Sequence, residues 1–412
     1  MEKPIERKVY TDTIKGFVGC EQIKVITGVR RCGKSEILKL LKLELLKNTD
    51  ESHIIFLNFE DYENVDLLEP KVLHTYITDR IKDDKTYYIF FDEIQKVKEW
   101  ENVVASLRLR NTDIYVTGSN AQLLSSELAT NIAGRYISFD IYPLSFQEFI
   151  NFRIISGIEK DSNNLDKLLG DYIKIGGFPI LSNNNYSQDR ARKIVADIHA
   201  SAVLKDVVER KKVKNVPLLQ RIIAFIYDNV GKLVSLNKLV NYLKSNGGGA
   251  NFDVISNYVS FLESACIIKK APRYEIRGKK LLESNDKYYL ADHSLQYAVR
   301  GMIGENTPGI LENIVFNELI RRGYKVFVGK MSKDDAREID FVAEKNEGSE
   351  KIYVQVCYHY GFDKTKDREF SPLTEIQDNF PKYVVAYDLF AGDNINGVIG
   401  IKLQDFLLKE SL

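Results

Sequence analysis

The first third of the chain alternates between strand-like and helix-like hydrophobic patterns. Apolar runs that fit strands are residues 22–27, 53–59, 86–91, 113–117 and 135–141. Helical periodicity fills the intervals, at residues 35–47, 66–81, 99–110 and 121–129. Such alternation predicts a parallel sheet with helices on both of its faces. The run 87–91 is apolar throughout, which is typical of a central strand that is covered on both sides.

The pattern changes after Pro143, and three further regions follow the sheet domain of residues 1–150. Residues 151–212 are mainly helical, which predicts a small helical lid and linker. In residues 213–300, three amphipathic runs precede two strand-like runs, which is the order of a winged helix. Residues 301–412 contain a helix-like run at 310–322 and strand-like runs at 325–328, 338–343 and 352–357. We expect them to form a separate, small α/β domain.

The composition indicates the class of protein but says little about which partners the protein binds. The 412 residues are 44% hydrophobic and include 58 basic and 58 acidic side chains, so no global positive field indicates nucleic acid. The four cysteines, Cys20, Cys32, Cys266 and Cys357, are too widely spaced to predict a disulfide framework or a zinc site. Since no signal region is evident and no apolar run approaches the ~20 residues of a membrane span, we expect a cytoplasmic protein without a membrane partner.

The clearest chemical motif follows the first strand. Residues 28–35 fit the pattern G-x-x-x-x-G-K-[ST] with Gly28, Val29, Arg30, Arg31, Cys32, Gly33, Lys34 and Ser35. In such a loop, backbone N–H groups turn toward phosphate oxygens at the positive end of a helix. The lysine reaches the β- and γ-phosphates, and the serine ligates Mg²⁺. We therefore expect a site for ATP and Mg²⁺ here, the alternative being an ordinary strand-to-helix turn.

Two carboxylates end the apolar run at residues 87–91. Asp92 is expected at the carboxyl end of that strand, and Glu93 follows it. In this arrangement the first carboxylate holds Mg²⁺, often through water, and the second orients and polarises the attacking water. An acidic turn after a buried strand is the simpler alternative, but the phosphate loop in the correct order along the sheet favours the catalytic interpretation.

These motifs resemble those of P-loop ATPases, and the whole set resembles a prokaryotic AAA+ family. That family combines a GxRRxGKS loop, a DEIQ strand end, and TGSN, AGR and PLSFxEF segments, which occur here in the same order within residues 28–149. The resemblance implies that Ser119 or Asn120 senses the γ-phosphate and that Arg135 is an arginine finger. Helix capping by Ser119 and Asn120, and a surface position for Arg135, are the open alternatives. A finger that acts in trans implies a homo-oligomer, at least a transient one.

A weaker resemblance concerns the segment Gly176-Gly177-Phe178-Pro179. Related signal-transduction ATPases carry a G-x-P element in the lid, where the proline packs near the adenine, and Gly177 and Pro179 match its spacing. The resemblance thus implies a nucleotide contact for Pro179. A lid turn without any ligand contact explains the same residues.

The winged-helix interpretation of residues 213–300 suggests double-stranded DNA or a protein as the partner. Residues 252–263 would be the recognition helix, and positive charges on the wing would neutralise phosphates, the wing residues being Arg273, Arg277, Lys279 and Lys280. The helix offers few side chains that read bases, and many winged helices contact only proteins, so both partners stay open. The basic residues 210–214 are interpreted as a solvated linker.

Residues 301–412 resemble the PD-(D/E)XK nuclease fold that closes the same ATPase family. In such nucleases a helix glutamate, a strand aspartate and an E-x-K or Q-x-K strand converge on Mg²⁺, and the lysine assists the attacking water. The matching residues are Glu312, Asp340 and Gln355. Cys357 occupies the lysine position, where a thiol supplies no fixed positive charge. We therefore expect a degenerate, restriction-endonuclease-like domain that is retained for binding DNA or protein.

The sequence as a whole predicts an α/β AAA+ ATPase whose turnover of ATP with Mg²⁺ drives a switch acting on DNA or on a protein. Two alternatives remain open. One is an ATP-regulated DNA nuclease, and the other is a scaffold that binds nucleotide without significant turnover. Motifs of this kind identify the energy source, whereas the partner depends on the C-terminal half of the chain.

Overall fold

The computed structural model describes residues 5–119, 132, 134–245, 251–276, 278, 280–300, 307–331, 338–358, 363–388 and 394–412. The chain divides into two units, which are Met1–Pro143 with Ser264–Cys266, and Leu144–Glu263 with Ile267–Leu412. Within the described residues, no helix combines the length and the apolar character that crossing a membrane requires.

A parallel sheet of five described strands forms the centre of the first unit. The strands are β1 (Ile23–Thr27), β2 (Ile54–Asn58), β3 (Tyr87–Asp92), β4 (Thr112–Gly118) and β5 (Tyr136–Asp140), in the spatial order β2-β3-β4-β1-β5. The helices are α1 (Lys8–Lys15), α2 (Lys34–Leu45), α3 (Pro70–Thr78) and α4 (Trp100–Leu107). The predicted parallel α/β sheet is confirmed, and the predicted helix at 121–129 lies outside the described residues.

The strand order brings together the segments that carry the motifs. Because β4 lies between β3 and β1, and all three run parallel, their carboxyl ends are neighbours at one edge of the sheet. Strand β1 is buried throughout, and β3 is buried at every residue except Tyr88. Apolar runs without alternation are therefore explained by strands that are covered on both faces.

The region predicted as one helix at 66–81 consists of two elements. A 3₁₀ segment, Tyr62–Leu68, is followed by α3, which begins at Pro70. Glu69 between them is extended, with φ −86° and ψ 123°. Proline suits the first position of a helix but disfavours helical geometry in the residue before it, and this separates the two elements.

The second unit begins with helices. The first four are α5 (Phe146–Ile155), α6 (Leu165–Ile175), α7 (Pro179–Ser182) and α8 (Gln188–Ala202), and α8 continues as a π-helix at Val203–Glu209. Ser145 starts α5 with a capping box, in which its hydroxyl accepts from the N–H of Glu148 and the Glu148 carboxylate accepts from the N–H of Ser145. The next helices are α9 (Val216–Asp228), α10 (Leu236–Ser245), α11 (Phe252–Ser264) and α12 (Ser294–Arg300).

A mixed sheet of nine described strands runs through the second unit. The strands are β6 (Leu233–Val234), β7 (Ile268–Glu275), β8 (Lys280–Leu290), β9 (Lys325–Lys330), β10 (Glu338–Lys345), β11 (Glu350–Cys357), β12 (Lys382–Ala386), β13 (Asn394–Ile395) and β14 (Val398–Lys402). Their spatial order is β13-β14-β12-β11-β10-β9-β7-β8-β6. The accompanying helices are α13 (Thr307–Arg321), α14 (Asp363–Thr374) and α15 (Leu403–Leu408).

The sequence predicts a domain boundary between residues 300 and 301. Parallel pairing of β7 with β9 joins the regions on the two sides of this boundary. The pairs run from Arg273 opposite Val328 to Glu275 opposite Lys330. Strands from both predicted C-terminal domains thus share one sheet, and the division of the chain into four domains stays a prediction.

Candidate functional site

The loop at residues 28–35 has a shape that depends on its glycines. Gly28 has a φ of 147°, and a Cβ at this position would lie 2.2 Å from the carbonyl oxygen of Ile141. Gly33, directly before α2, has a φ of 105°. Residues with side chains rarely adopt such φ values, and Gly28 leaves no space for one. The loop therefore closes tightly after β1 and leads directly into the N-terminus of α2.

Lys34 in this loop is a buried cation. The residue is 4% exposed, and its Nζ donates to the carbonyl oxygens of Gly28 at 2.9 Å and Val29 at 3.1 Å. No carboxylate of the described residues pairs with it, and carbonyl oxygens compensate a buried charge only in part. An anion at the N-terminus of α2, next to the half-buried Ser35, would supply the missing charge. The loop thus fits the phosphates of a nucleotide.

Arg7 holds the loop from outside the motif. Its guanidinium donates to the carbonyl oxygens of Cys32 at 2.8 Å and Tyr142 at 2.9 Å, and it is 2% exposed. Sequence reasoning missed Arg7 because it lies 25 residues before Cys32, and no local pattern connects the two. Burial raises the pKa of the Cys32 thiol, so this residue packs as a neutral group and does not act as a nucleophile.

The other two arginines of this region differ in their surroundings. Nη1 of Arg30 lies 3.5 Å from Oε1 of Glu60, and the two side chains form an ion pair. Arg31 is exposed and has a φ of 68°. Arg30 is thus oriented toward the turn after β2, whereas the side chain of Arg31 is accessible to solvent.

Thr117, near the end of β4, contacts both of the acidic residues at the end of β3, Asp92 and Glu93. Its hydroxyl donates to Oδ1 of Asp92 at 2.5 Å and accepts from the backbone N–H of Glu93 at 2.9 Å. Asp92 is 2% exposed and Glu93 is 8% exposed. Glu93 has a φ of 57°, a strained value for a non-glycine residue, and Gln95 donates to its carboxylate. Both carboxylates are therefore oriented by named partners at the same sheet edge as the phosphate loop.

The structure brings Ser119 to this edge but not Arg135. Ser119 is fully buried and directly follows β4, the strand between β1 and β3. Asn120 lies outside the described residues. Arg135 is exposed and precedes β5, whose Tyr136 pairs with Ile23 at the start of β1. Because β5 and β1 are parallel, Arg135 lies at the opposite edge of the sheet from the phosphate loop.

Pro179 belongs to the second unit, where it is the first residue of α7. The two preceding glycines are explained by packing in that unit. A Cβ on Gly176 would lie 2.3 Å from Oδ1 of Asp292, and the N–H of Gly177 donates to Oδ2 of the same residue at 2.8 Å. The Gly177 carbonyl also accepts from the N–H of Leu144 at 2.6 Å. A nucleotide contact of Pro179 stays a prediction.

A buried lysine lies among carboxylates of the second unit. Nζ of Lys287, on β8, is 3.2 Å from Oε2 of Glu312, 2.6 Å from Oε1 of Glu338 and 3.2 Å from Oδ1 of Asp340. Burial alone would lower the pKa of Lys287, but the neighbouring carboxylates and Tyr289 raise it well above its ordinary value. Burial, and after it the charge of Asp340, raises the pKa of Glu312 to about 8. Lys287 is therefore a permanent cation.

The remaining residues predicted for a nuclease-like site surround this cluster. Oε1 of Gln355 accepts from the N–H of Asp340 at 3.2 Å, so Glu312, Asp340 and Gln355 are brought together as neighbours. Cys357 is 7% exposed and packs in a hydrophobic cluster that includes Phe370. Sequence reasoning missed Lys287, since it lies 53 residues before Asp340 and in a different predicted domain.

A basic groove of about 760 Å³ lies beside α11 in the second unit. Lys212, Lys214 and Lys244 are exposed, and Nζ of Lys211 lies 5.5 Å from the ring centroid of Phe261. None of the described residues that line the groove is acidic, and the lining is Lys211, Lys212, Val213, Lys214, Asn215, Leu218, Lys244, Asn251, Val254, Asn257, Tyr258 and Phe261. Residues 211–214, which the sequence analysis interprets as a solvated linker, therefore also line this groove.

The residues predicted for a wing differ from that expectation. Arg273 is only 2% exposed, so its assignment as a phosphate-contacting wing residue is wrong. Its strand is covered because β7 pairs with β8 on one side and with β9 on the other. Lys280 is exposed and lies 3.6 Å from Glu275, whereas Arg277 and Lys279 lie outside the described residues.

Comparison with known proteins adds the family context. Residues 21–150 match the model of an AAA domain, and residues 166–306 match a domain of unknown function, DUF8612. An uncharacterized protein of Haemophilus influenzae is 38% identical over 98% of this chain and 99% of its own length. Uncharacterized protein MJ1544 of Methanocaldococcus jannaschii is 30% identical over 84% of this chain and 77% of its own length.

Among solved structures, the Walker-type ATPase PABY2304 of Pyrococcus abyssi is similar to this chain, with a TM-score of 0.52. The match covers 72% of this chain and 95% of that protein at 14% identity, so it concerns the fold alone. Together with the AAA-domain match, it shows that the first unit has the α/β fold of P-loop AAA+ ATPases, with a parallel central sheet.

Proposed function

This chain belongs to the same protein family as the Haemophilus influenzae protein and MJ1544, and we propose that it is a Mg²⁺-dependent ATPase that acts as a nucleotide-driven switch on DNA. The observation that carries the ATPase proposal is the convergence of three segments at one sheet edge. They are the phosphate loop after β1, the Asp92–Glu93 pair at the end of β3, and Thr117 with Ser119 at the end of β4.

Each of these residues has a role that its surroundings support. Lys34 binds the β- and γ-phosphates, since it is a buried cation with only carbonyl partners among the described residues. Ser35 and Asp92 hold Mg²⁺, which supplies charge neutralisation at the phosphates when bound. Glu93 orients and polarises the attacking water, and Ser119 contacts the γ-phosphate. Gln95 and Thr117 hold Glu93 in the orientation that this role requires.

Arg135 acts on the nucleotide of a neighbouring copy of the chain. Its exposed position at the far edge of the sheet is out of reach of the phosphate loop of its own chain. An arginine that approaches from another subunit stabilises the charge that develops on the transferred phosphoryl group. The active form is then a homo-oligomer, at least during turnover.

The second unit binds double-stranded DNA through the basic groove. Helices α9, α10 and α11 followed by the hairpin β7–β8 have the order of a winged helix, with α11 as the recognition helix. Four lysines line this groove, and none of its described lining residues is acidic, so the groove is complementary to the phosphates of a DNA backbone. Asn251 and Asn257 on the same wall supply amide groups for base or sugar contacts.

ATP turnover with and without duplex DNA tests the proposal. We expect Mg²⁺-dependent hydrolysis that is abolished in Lys34→Ala and in Glu93→Gln and that DNA stimulates. Lys39→Ala is the matched control, because Lys39 is an exposed lysine on the same helix, α2. Turnover in Lys34→Ala and Glu93→Gln equal to that of Lys39→Ala would refute the ATPase proposal. Tight nucleotide binding with background turnover in the wild type would instead support a scaffold.

A further inference from the structure

The carboxylates of the nuclease-like region already surround a cation that belongs to the chain. Glu312 on α13, with Glu338 and Asp340 on β10, all place an oxygen within 3.2 Å of one lysine nitrogen. We propose that Lys287 takes the place of the divalent metal of a PD-(D/E)XK nuclease, and that this cluster is a metal-independent lysine–carboxylate network.

The distances fit an ammonium group and not a metal ion. Nζ of Lys287 donates to Oε2 of Glu312 and to Oδ1 of Asp340 at 3.2 Å each, and it forms an ion pair with Oε1 of Glu338 at 2.6 Å. Mg²⁺ needs oxygens at about 2.1 Å in a nearly octahedral arrangement. A divalent cation would also be repelled by the ammonium of Lys287, whose side chain is only 3% exposed.

Oxygens that a metal would need also accept other hydrogen bonds. Oδ2 of Asp340 accepts from the backbone N–H of Val356 at 2.9 Å, and the Tyr289 hydroxyl donates to Oε2 of Glu312 at 2.9 Å. Gln355 directs its oxygen to the N–H of Asp340 and its nitrogen to Glu369. Among the described residues, no group of three or more His, Cys, Asp or Glu side chains is arranged to hold a metal. The residues present therefore do not fit the metal that the nuclease resemblance implies.

The network connects elements that are distant in sequence. Lys287 comes from the hairpin β7–β8, while its partners come from α13 and β10. The same two regions are joined by backbone pairing of β7 with β9. A buried ion pair is costly to break on one side only, because the remaining charges lose their compensation. Lys287 thus stabilises the attachment of the hairpin to the rest of the sheet. This role is structural and is independent of metal-dependent cleavage.

Manganese binding to the full chain without nucleotide tests whether the cluster holds a metal. Mn²⁺ is titrated into the wild type and into Asp340→Asn, and free Mn²⁺ is followed by electron paramagnetic resonance. We expect the two binding curves to coincide. A site with Mn²⁺ bound in the wild type and lost in Asp340→Asn would overturn the proposal, as would Mn²⁺-dependent cleavage of DNA that Asp340→Asn abolishes.

Thermal unfolding tests the role of the lysine itself. Lys287→Met keeps most of the side-chain volume and removes the charge, and Lys325→Met is the matched control, since Lys325 is an exposed lysine of the same sheet. We expect Lys287→Met to melt well below Lys325→Met, and Asp340→Asn added to Lys287→Met to recover part of the loss by removing an uncompensated charge. Equal melting temperatures of Lys287→Met and Lys325→Met would overturn the proposal. The manganese titration decides the matter even if Lys287→Met does not fold.

Discussion

Replacing Thr117 by valine tests whether one hydroxyl organises the catalytic carboxylates. Valine has nearly the shape of threonine, and Thr117 is fully buried, so the change removes a polar atom without leaving a cavity. The hydroxyl makes two contacts, as donor to Asp92 at 2.5 Å and as acceptor from the N–H of Glu93 at 2.9 Å. Thr117→Val therefore removes the hydrogen bonds that orient Asp92 and Glu93 while it preserves the packing of β4.

The expected loss follows from these two contacts. A hydrogen bond to a charged group contributes ~1.5–3 kcal/mol, and a buried donor without a partner costs ~1–3 kcal/mol, so we expect Thr117→Val to lose about 3–5 kcal/mol of unfolding free energy. Glu93 would also lose a restraint on its strained backbone, with a φ of 57°. Because Glu93 then orients water less often, we expect kcat to fall by about 10²-fold, which is within the range for a misplaced catalytic group.

Urea unfolding and steady-state ATP hydrolysis measure the two effects. Thr112→Val is the matched control, because Thr112 lies on the same strand at the opposite edge and its hydroxyl donates to the carbonyl of Leu107 at 2.8 Å. Loss of that single, part-buried bond is expected to cost about 1 kcal/mol and to leave kcat unchanged. A Thr117→Val variant as stable and as active as Thr112→Val would refute the assignment of this hydroxyl.

Three further predictions address the other sites. Alanine at Lys212, Lys214 and Lys244 should weaken duplex DNA binding and reduce the slope of log K against log salt by about 3, as measured by fluorescence anisotropy; an equal effect of alanine at the exposed Lys174, Lys193 and Lys205 would contradict it. Arg135→Ala and Lys34→Ala should each be inactive alone and regain ATP hydrolysis when mixed, and an inactive mixture would exclude action in trans. Glu312 has a folded-state pKa of about 8 against an ordinary 4.5, so its stabilising contribution is fully present below about pH 4.5 and is lost as pH rises to about 8, at up to ~1.4 kcal/mol per unit. The groups that face Glu312 are Lys287, Tyr289, Glu338 and Asp340. Glu312→Gln should flatten the decrease of the urea midpoint with rising pH over this range, and an unchanged dependence on pH would contradict the expectation.

Local patterns were sufficient for the strands of the first unit. All five strands of the first unit end within one residue of their predicted bounds, because buried parallel strands leave continuous apolar runs. The glycines of the loop and the Asp92–Glu93 pair are likewise signals within a few residues. Arg7 and Thr117 act on groups that are 24 or 25 residues away in sequence, and no periodicity encodes such contacts. The wing assignment of Arg273 failed for the same reason, since pairing of β7 with β9 was not visible in the sequence.

A lysine that is missing from the sequence motif can still be supplied to the site by another part of the fold, and Lys287 is an example. The motif places its lysine two residues after Gln355, where this chain has Cys357, which packs in the hydrophobic cluster with Phe370. The fold brings a lysine to the carboxylates from β8, through a sheet that joins β7 to β9. A catalytic lysine needs contact with the attacking water, whereas Lys287 donates to Glu312 and Asp340, forms an ion pair with Glu338, and is 3% exposed. The positive charge is therefore present at the cluster but is used to compensate the carboxylates of Glu338 and Asp340, and this is why we expect DNA cleavage to be lost.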